Sequence, residues 1–197
     1  MSIKKEPSDE LSVKIILIGE LGVGKTSMVH KYCEYTGEMK EILTKSMIFQ
    51  NRKLKLIFND TCGAEQMSTV TSALYHNSCA CIFVYDVANN DTLLSLQNWA
   101  GELKRYGPDK GNIPKALCGN KSDLTSAINE SDFRDFLTKN PMKDFKVCTT
   151  TGEGLDAMFN AILPDAIEEC IKQLTQKGKT VPPPIKSKKQ GGKCALF

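Results

Sequence analysis

The sequence lacks a strong charge on its main part and any long apolar run. Its 26 basic and 23 acidic side chains give a formal net charge of +3, and the segment from Lys177 to Phe197 holds six lysines and no acid, which leaves the preceding part at −3. Binding to a nucleic-acid polymer needs a basic face on the folded part, so that class of function is excluded. No apolar run approaches the roughly 18 residues of a membrane-spanning helix, and no signal peptide is recognisable.

The sequence also lacks a CxxC pair, although it contains eight cysteines. Without paired cysteines at metal-binding spacing, a zinc site is not favoured. Most of these cysteines lie in apolar segments, which indicates buried and reduced thiols in a cytosolic protein.

Short apolar segments alternate along the chain with longer amphipathic ones, and no internal repeat is present. At 197 residues the chain suits one domain. The alternation predicts an α/β fold with a mostly parallel sheet between helices, whose ligands bind at the carboxyl ends of the strands. The predicted strands are Val13–Ile18, Leu54–Phe58, Cys81–Val87 and Ala116–Cys118.

Three regions follow from the pattern. Residues 1–10 are polar and form a flexible arm, residues 11–174 form the folded domain, and residues 175–197 form a disordered, lysine-rich tail in which Pro182–Pro184 forbid a helix. The domain ends with a helix whose apolar stripe packs on the sheet. This stripe comprises Leu155, Met158, Phe159, Ile162, Ala166, Cys170 and Leu174.

A phosphate-binding loop follows the first predicted strand. The segment from Gly19 to Thr26 fits GxxxxGK[ST] and opens a helical stretch. Its backbone N–H groups would surround phosphates, Lys25 would neutralise the β and γ oxygens, and Thr26 would offer a hydroxyl to Mg²⁺. The predicted nucleotide-binding residues here are Leu21, Gly22, Val23, Gly24, Lys25, Thr26 and Ser27.

Asn120-Lys121-Ser122-Asp123 follows another strand and resembles the NKxD motif of small GTPases. The resemblance implies that the carboxylate of Asp123 accepts hydrogen bonds from guanine, a donor pair that adenine cannot supply. By itself the segment also fits a turn that caps a helix with Asp123. Cys148-Thr149-Thr150 stands where the family has Ser-Ala-Lys, which implies that the Thr149 N–H meets the guanine carbonyl.

The segment Asp60-Thr61-Cys62-Gly63-Ala64 is similar to the family's DTAGQ segment. The resemblance implies that Asp60 holds Mg²⁺ through water and that the N–H of Gly63 contacts the γ-phosphate only in the GTP state. A plain strand-to-loop turn is the alternative. Similarity to Rab proteins in particular covers about residues 11–174 and rests on Thr69–Ser72, Tyr85–Val87, Asn98-Trp99 and Leu117–Leu124.

Two residues depart from the family at catalytic positions. Ala64 replaces the glutamine that positions the attacking water, and Leu21 adds bulk beside the γ-phosphate. Both departures predict slow intrinsic hydrolysis unless a partner supplies catalytic groups. The competing hypothesis is a pseudo-GTPase that binds guanine nucleotide constitutively and acts as a membrane-tethered adaptor. An ATP-dependent enzyme is disfavoured by Asp123.

Switch one diverges as well. Thr26 and Asp60 are only 34 positions apart, several fewer than in the family. Thr44 keeps the family's spacing from Thr26 and is assigned as the Mg²⁺-binding threonine, which places the deletion in the hairpin that follows; an ordinary strand threonine is the alternative. Gly37 stands at the usual nucleotide-stacking position, and Tyr35 is the candidate replacement.

The tail carries a lipid-attachment motif. Cys194-Ala195-Leu196-Phe197 fits C-a-a-X, which predicts geranylgeranylation of Cys194, and nearby lysines favour anionic membrane. A merely solvated lysine run is the alternative. The expected protein is a Rab-like GTPase with a six-stranded sheet and about five helices, which binds GTP or GDP with Mg²⁺. It would act in vesicle trafficking and protein transport on the cytosolic face of a membrane, with effectors, an exchange factor and an activating protein as partners.

Overall fold

The computed structural model describes residues 9–37, 42–59 and 73–185. Six strands form one sheet in the order β2-β3-β1-β4-β5-β6, in which only β2 is antiparallel to its neighbour. The strands are β1 (Leu11–Ile18), β2 (Ile42–Phe49), β3 (Arg52–Asn59), β4 (Ala80–Asp86), β5 (Lys115–Asn120) and β6 (Lys143–Lys146). The four strands predicted from the sequence are confirmed, with bounds shifted by one or two residues.

Helices cover both faces of the sheet. Asn89 and Asn129 cap two of them, because each side chain accepts a hydrogen bond from the backbone N–H two residues later. The α-helices that lie wholly within the described ranges are α1 (Lys25–Tyr32), α2 (Asn90–Tyr106), α3 (Glu130–Lys139) and α4 (Leu155–Gln176), and a 3-10 helix spans Pro108–Gly111. The predicted α/β fold class is therefore confirmed.

The core consists of two apolar layers, one on each face of the sheet. Ile15 of β1 packs in the layer with α1 and α4, whereas Ile16 packs in the layer with α2 and α3. Successive side chains of a strand point to opposite faces of the sheet, so Ile15 and Ile16 must both be apolar, and the apolar run from Ile15 to Ile18 is uninterrupted. The predicted stripe on α4 lies against the first layer, with only Leu174 partly exposed.

The β2–β3 hairpin, in which the deletion is predicted, is regular throughout. Its eight residue pairs run from Ile42 opposite Asn59 to Phe49 opposite Arg52. The two-residue turn has positive φ at Gln50 (45°) and Asn51 (58°), as expected for a tight turn that matches strand twist.

The prediction of disorder from Thr175 differs from the structure as far as Ile185. Helix α4 includes Thr175 and Gln176, and Gly178, with φ of 63°, follows it in a turn. The chain then contacts the hairpin: the N–H of Ile185 donates to the carbonyl oxygen of Asn51 at 2.6 Å. None of the helices in the described ranges has the length and apolarity that crossing a bilayer requires.

Candidate nucleotide-binding site

The loop from Gly19 to Gly24 connects β1 to α1 and folds around the amine of Lys25. Lys25 Nζ donates to the carbonyl oxygens of Gly19 at 2.6 Å and Glu20 at 2.8 Å, and the residue is 7% exposed. Gly19 has φ of 144°, and a Cβ there would lie 2.1 Å from the carbonyl oxygen of Val84, so only glycine fits. The loop thus places a cation at the N-terminus of α1, the arrangement that suits phosphate.

Asn120, at the carboxyl end of β5, connects this loop to a third segment. Its Nδ2 donates to the carbonyl oxygen of Val23 at 2.8 Å, and its Oδ1 accepts from Thr149 N at 3.2 Å and from Thr149 Oγ1 at 2.7 Å. A Cβ at Gly24, where φ is 98°, would lie 2.3 Å from that Nδ2. One side chain, 2% exposed, therefore joins all three predicted binding segments.

The two charged residues of the NKSD segment, Lys121 and Asp123, also contact other side chains. Lys121 Nζ forms an ion pair with Asp86 Oδ2 at 2.6 Å, and Lys121 adopts a left-handed backbone conformation with φ of 61°. Asp123 is exposed, and its Oδ1 accepts a hydrogen bond from Cys148 Sγ at 3.2 Å. Cys148 thus orients the carboxylate predicted to recognise guanine.

The Thr149 N–H, predicted to meet the guanine carbonyl, is instead directed to Asn120 Oδ1. The Thr149 hydroxyl donates to the same oxygen. A guanine carbonyl at this position would have to share that N–H with Asn120, or receive it after the hydroxyl alone holds the amide oxygen.

The three segments border an open cleft of about 760 Å³. Eight of the predicted residues line it: Gly22, Gly24, Ser27, Tyr35, Asn120, Lys121, Thr149 and Thr150. The other predicted residues of these segments are Leu21, Val23, Lys25, Thr26, Asp123 and Cys148. Leu21 is 74% exposed, whereas Val23 is buried.

Sequence reasoning missed one wall of the cleft. His30, Lys31 and Glu34 line it together with Thr36. His30 and Lys31 follow Ser27 at intervals of three and four residues, the spacing of one helix face, and that was the available signal, whereas Glu34 lies after α1 has ended at Tyr32. The ring of His30 lies edge-on to Tyr35 with centroids 5.3 Å apart, which places Tyr35 beside this wall.

Thr44 does not lie at the cleft, so its assignment as the Mg²⁺-binding threonine is wrong. It is the third residue of β2, opposite Ile57, which pairs in turn with Lys14 of β1. Lys14 is four residues before Ile18, where β1 ends, and at ~3.3 Å per residue this separates Thr44 from the phosphate loop by about 13 Å along the strand direction. Magnesium ligands lie about 2.1 Å from the ion, so Thr44 and Thr26 cannot share one.

Several predicted residues lie outside the described ranges: Asp60, Gly63, Ala64 and Cys194. Of the predicted magnesium ligands, Thr26 lies within the described ranges and beside the cleft. Its hydroxyl is the kind of oxygen ligand that Mg²⁺ prefers, and Thr26 lies directly after Lys25 in the first turn of α1, beside the cleft. This part of the chain fits the ion.

Comparison with known proteins identifies the family. The family model described as Ras family matches residues 14–168. The chain belongs to the Ras family. Among its relatives, human Ras-related protein Rab-22A is 34% identical over 133 residues, which is 63% of this chain and 68% of that protein. Zebrafish Ras-related protein Rab-18-B is 28% identical over 165 residues, or 80% of each chain.

A third relative extends the similarity along this Ras-family chain. Bovine DnaJ homolog subfamily C member 27 is 29% identical over 182 residues, covering 86% of this chain and 67% of that protein. Together the matches confirm the similarity to Rab-type small GTPases that the sequence motifs indicate. Ras-family GTPases bind GTP or GDP with Mg²⁺, and the cleft described above is where this member offers its phosphate and base motifs.

Proposed function

We propose that the protein binds GTP and GDP in this cleft and acts as a membrane switch in vesicle trafficking, with slow intrinsic hydrolysis. The observation that carries the proposal is the pair of interactions made by Asn120. Its amide group hydrogen-bonds the phosphate loop at Val23 and the Cys148–Thr150 segment at Thr149. The phosphate-binding and base-binding segments therefore have a fixed spacing before any ligand binds. Such preorganisation lowers the cost of binding.

Guanine preference is assigned to Asp123. Its carboxylate only accepts hydrogen bonds, so it matches the two donors of guanine, and it is oriented by the hydrogen bond from Cys148 Sγ. Adenine would leave the carboxylate facing its acceptor atoms. A site built to hydrogen-bond its ligand rejects an analogue that lacks those donors by ~10⁴-fold.

Slow hydrolysis is assigned to Leu21 and Ala64. The leucine side chain is 74% exposed on the phosphate loop, where it would obstruct a catalytic group from a partner protein. The methyl group of Ala64 cannot orient water. Bound Mg²⁺ would neutralise charge on the phosphate oxygens, and Thr26 and Asp60 are the residues proposed to hold it. Lys25 adds a second positive charge, and the N–H of Gly63 is proposed to contact the γ-phosphate.

The same two residues favour a second candidate, a pseudo-GTPase that binds nucleotide permanently and acts as an adaptor. The two functions differ in turnover. Phosphate release from a stoichiometric GTP complex at saturating Mg²⁺ should be slow but measurable for the wild type and faster for Ala64→Gln. Release at the buffer background in both proteins would reject the switch and support the adaptor.

Membrane attachment is assigned to the segment after the folded domain. Geranylgeranylation of Cys194, together with Lys186, Lys188, Lys189 and Lys193, would give reversible binding, because one lipid chain is marginal and a basic patch supplements it. Mass spectrometry of protein from eukaryotic cells should show the prenyl adduct on the wild type and none on Cys194→Ser. An unmodified wild-type protein would refute the assignment.

A further inference from the structure

The segment that follows α4 is bound to the hairpin. Ile185 N–H donates to the carbonyl oxygen of Asn51 at 2.6 Å, and Arg52 Nη1 donates to the carbonyl oxygen of Pro182 at 2.9 Å. Proline fixes φ, so the run Pro182–Pro184 loses little conformational entropy when it binds. The chain therefore leaves the folded domain at the hairpin turn rather than at the end of α4.

This hairpin turn lies at the end of the sheet opposite to the cleft. Leu54 pairs with Leu11 at the start of β1, and Arg52 lies two residues before Leu54. From Leu11 to Ile18, where the phosphate loop begins, β1 rises by about 23 Å at ~3.3 Å per residue. A contact at the hairpin turn is therefore distant from the nucleotide-binding cleft.

The surface around the turn is basic and apolar. Lys53 is exposed and lies directly opposite Ile48, which is 67% exposed, while Ile185 is 38% exposed. Lys179 is exposed on the chain that leads to the turn, whereas the amine of Lys177 donates to Asn77 Oδ1. Two acids, Asp9 and Glu10, line the nearby groove of about 300 Å³ between α4, β1 and the proline run. We name five residues the hairpin surface: Ile48, Arg52, Lys53, Lys179 and Ile185.

We propose that the hairpin surface rests on an anionic lipid bilayer and holds the nucleotide cleft facing away from it. Lysines near anionic lipid contribute favourable energy, and isoleucines can enter the headgroup boundary. In the sequence, a lysine run that begins at Lys186 follows Ile185 directly. This orientation adds to the proposed membrane function, and it rests on that function only in assuming that the protein meets a membrane.

The first test uses the full, unprenylated chain, so its result does not depend on Cys194 or on hydrolysis. Sedimentation with vesicles of phosphatidylcholine and 30% phosphatidylserine should exceed that with phosphatidylcholine alone. The Lys53→Glu variant, which changes the charge by two units, should bind about tenfold more weakly. Lys143→Glu makes the same change on an exposed lysine of β6, the opposite edge of the sheet, and should bind like wild type.

Equal weakening by both variants would reduce the effect to net charge and overturn the proposal. Vesicle binding that is absent in the wild type would also overturn it and would leave an acidic protein as the partner for this surface. Circular dichroism of each variant should match wild type, since both lysines are exposed.

The second test measures orientation with brominated lipids, which quench nearby tryptophan. The single tryptophan, Trp99, donates from Nε1 to Glu20 Oε1 at 3.4 Å beside the phosphate loop, so its fluorescence should persist on vesicles. Ile48→Trp in a Trp99→Phe background should be quenched. Quenching of Trp99, or none at position 48, would refute the orientation.

A third variant tests the bound segment itself. Ile185→Pro, made in the Ile48→Trp and Trp99→Phe background, removes the donor to Asn51 and keeps every lysine. It should lower quenching at position 48 at least twofold. Ile185→Ala in the same background keeps the N–H and serves as the control for the lost side chain. Unchanged quenching in the proline variant would show that the segment does not set the orientation.

Discussion

Replacement of Asn120 by alanine tests whether one side chain organises the cleft. The change removes the donor to the Val23 carbonyl and the acceptor shared by the N–H and hydroxyl of Thr149. Because Asn120 is 2% exposed, the groups that it hydrogen-bonds would be buried without a partner once nucleotide covers the cleft. Water can solvate them while the cleft is open, so the cost should fall mainly on the nucleotide complex.

The magnitude follows from the hydrogen bonds lost. A buried polar group without a partner costs about 1–3 kcal/mol, and one such group in each of two segments gives about 2–6 kcal/mol. At 1.4 kcal/mol per tenfold, the dissociation constant for GDP should rise by roughly 30-fold to about 10⁴-fold. Thr149→Val removes only the hydroxyl bond and keeps the N–H of residue 149, so it should cost about 1 kcal/mol, or roughly fivefold.

Displacement of a fluorescent GDP analogue gives these constants, and urea unfolding of the nucleotide-free proteins gives the remaining stability. The reasoning predicts a larger loss in affinity than in nucleotide-free stability, with Asn120→Ala well beyond Thr149→Val. Nucleotide affinity of Asn120→Ala within twofold of wild type would refute it. So would a loss confined to the nucleotide-free protein, because Asn120 would then stabilise the fold without organising the site.

Two further predictions concern base recognition and alkaline pH. Asp123→Ala should lower the preference for GTP over ATP by at least about 10³-fold in a competition assay, because it deletes the acceptor for the guanine donors; an unchanged ratio would contradict the assignment. Burial raises the pKa of Cys118 from its ordinary value of 9.0 to about 12. Its stabilising contribution is therefore complete below pH 9 and is lost as the pH rises towards 12, because the unfolded state releases the proton first. The free energy of unfolding should fall by about 1.4 kcal/mol per pH unit for this thiol, and Cys118→Ala should remove that part of the slope between pH 9 and 11 in urea titrations; identical slopes would refute it.

The elements best predicted from the sequence are those whose burial permits only one pattern of apolar residues. Both faces of the sheet are covered by helices at Ile15–Ile18 of β1 and Cys81–Val84 of β4, so these segments are apolar without interruption and the strands are recognisable. The stripe on α4 has helical spacing because one face alone packs on the sheet. The segment 177–185 was harder, since backbone atoms of Asn51 and Pro182 carry its contacts and leave no pattern in the side chains.

Sequence motifs identified the parts of the cleft that come from loops with glycine, lysine and asparagine at fixed spacing. They did not identify the wall formed by the end of α1 and the residues after it, because His30, Lys31 and Glu34 have no special chemistry by themselves. Helical spacing from Ser27 is a weak signal until the partner segments are known. The reach of Cys148 to Asp123 likewise required the three-dimensional arrangement.

The error at Thr44 came from counting residues forward from Thr26, because counting cannot locate a deletion. The hairpin turn at Gln50-Asn51 is the better reference, since strand pairing fixes every residue of β2 relative to it. The end of α1 is held by this strand, because Lys45 of β2 donates to the Tyr32 carbonyl oxygen at 2.5 Å and lies 4.2 Å from the centre of the Tyr32 ring. The residue that ends α1 is thus bound to a strand whose register the hairpin turn fixes, a contact that counting from Thr26 could not reveal.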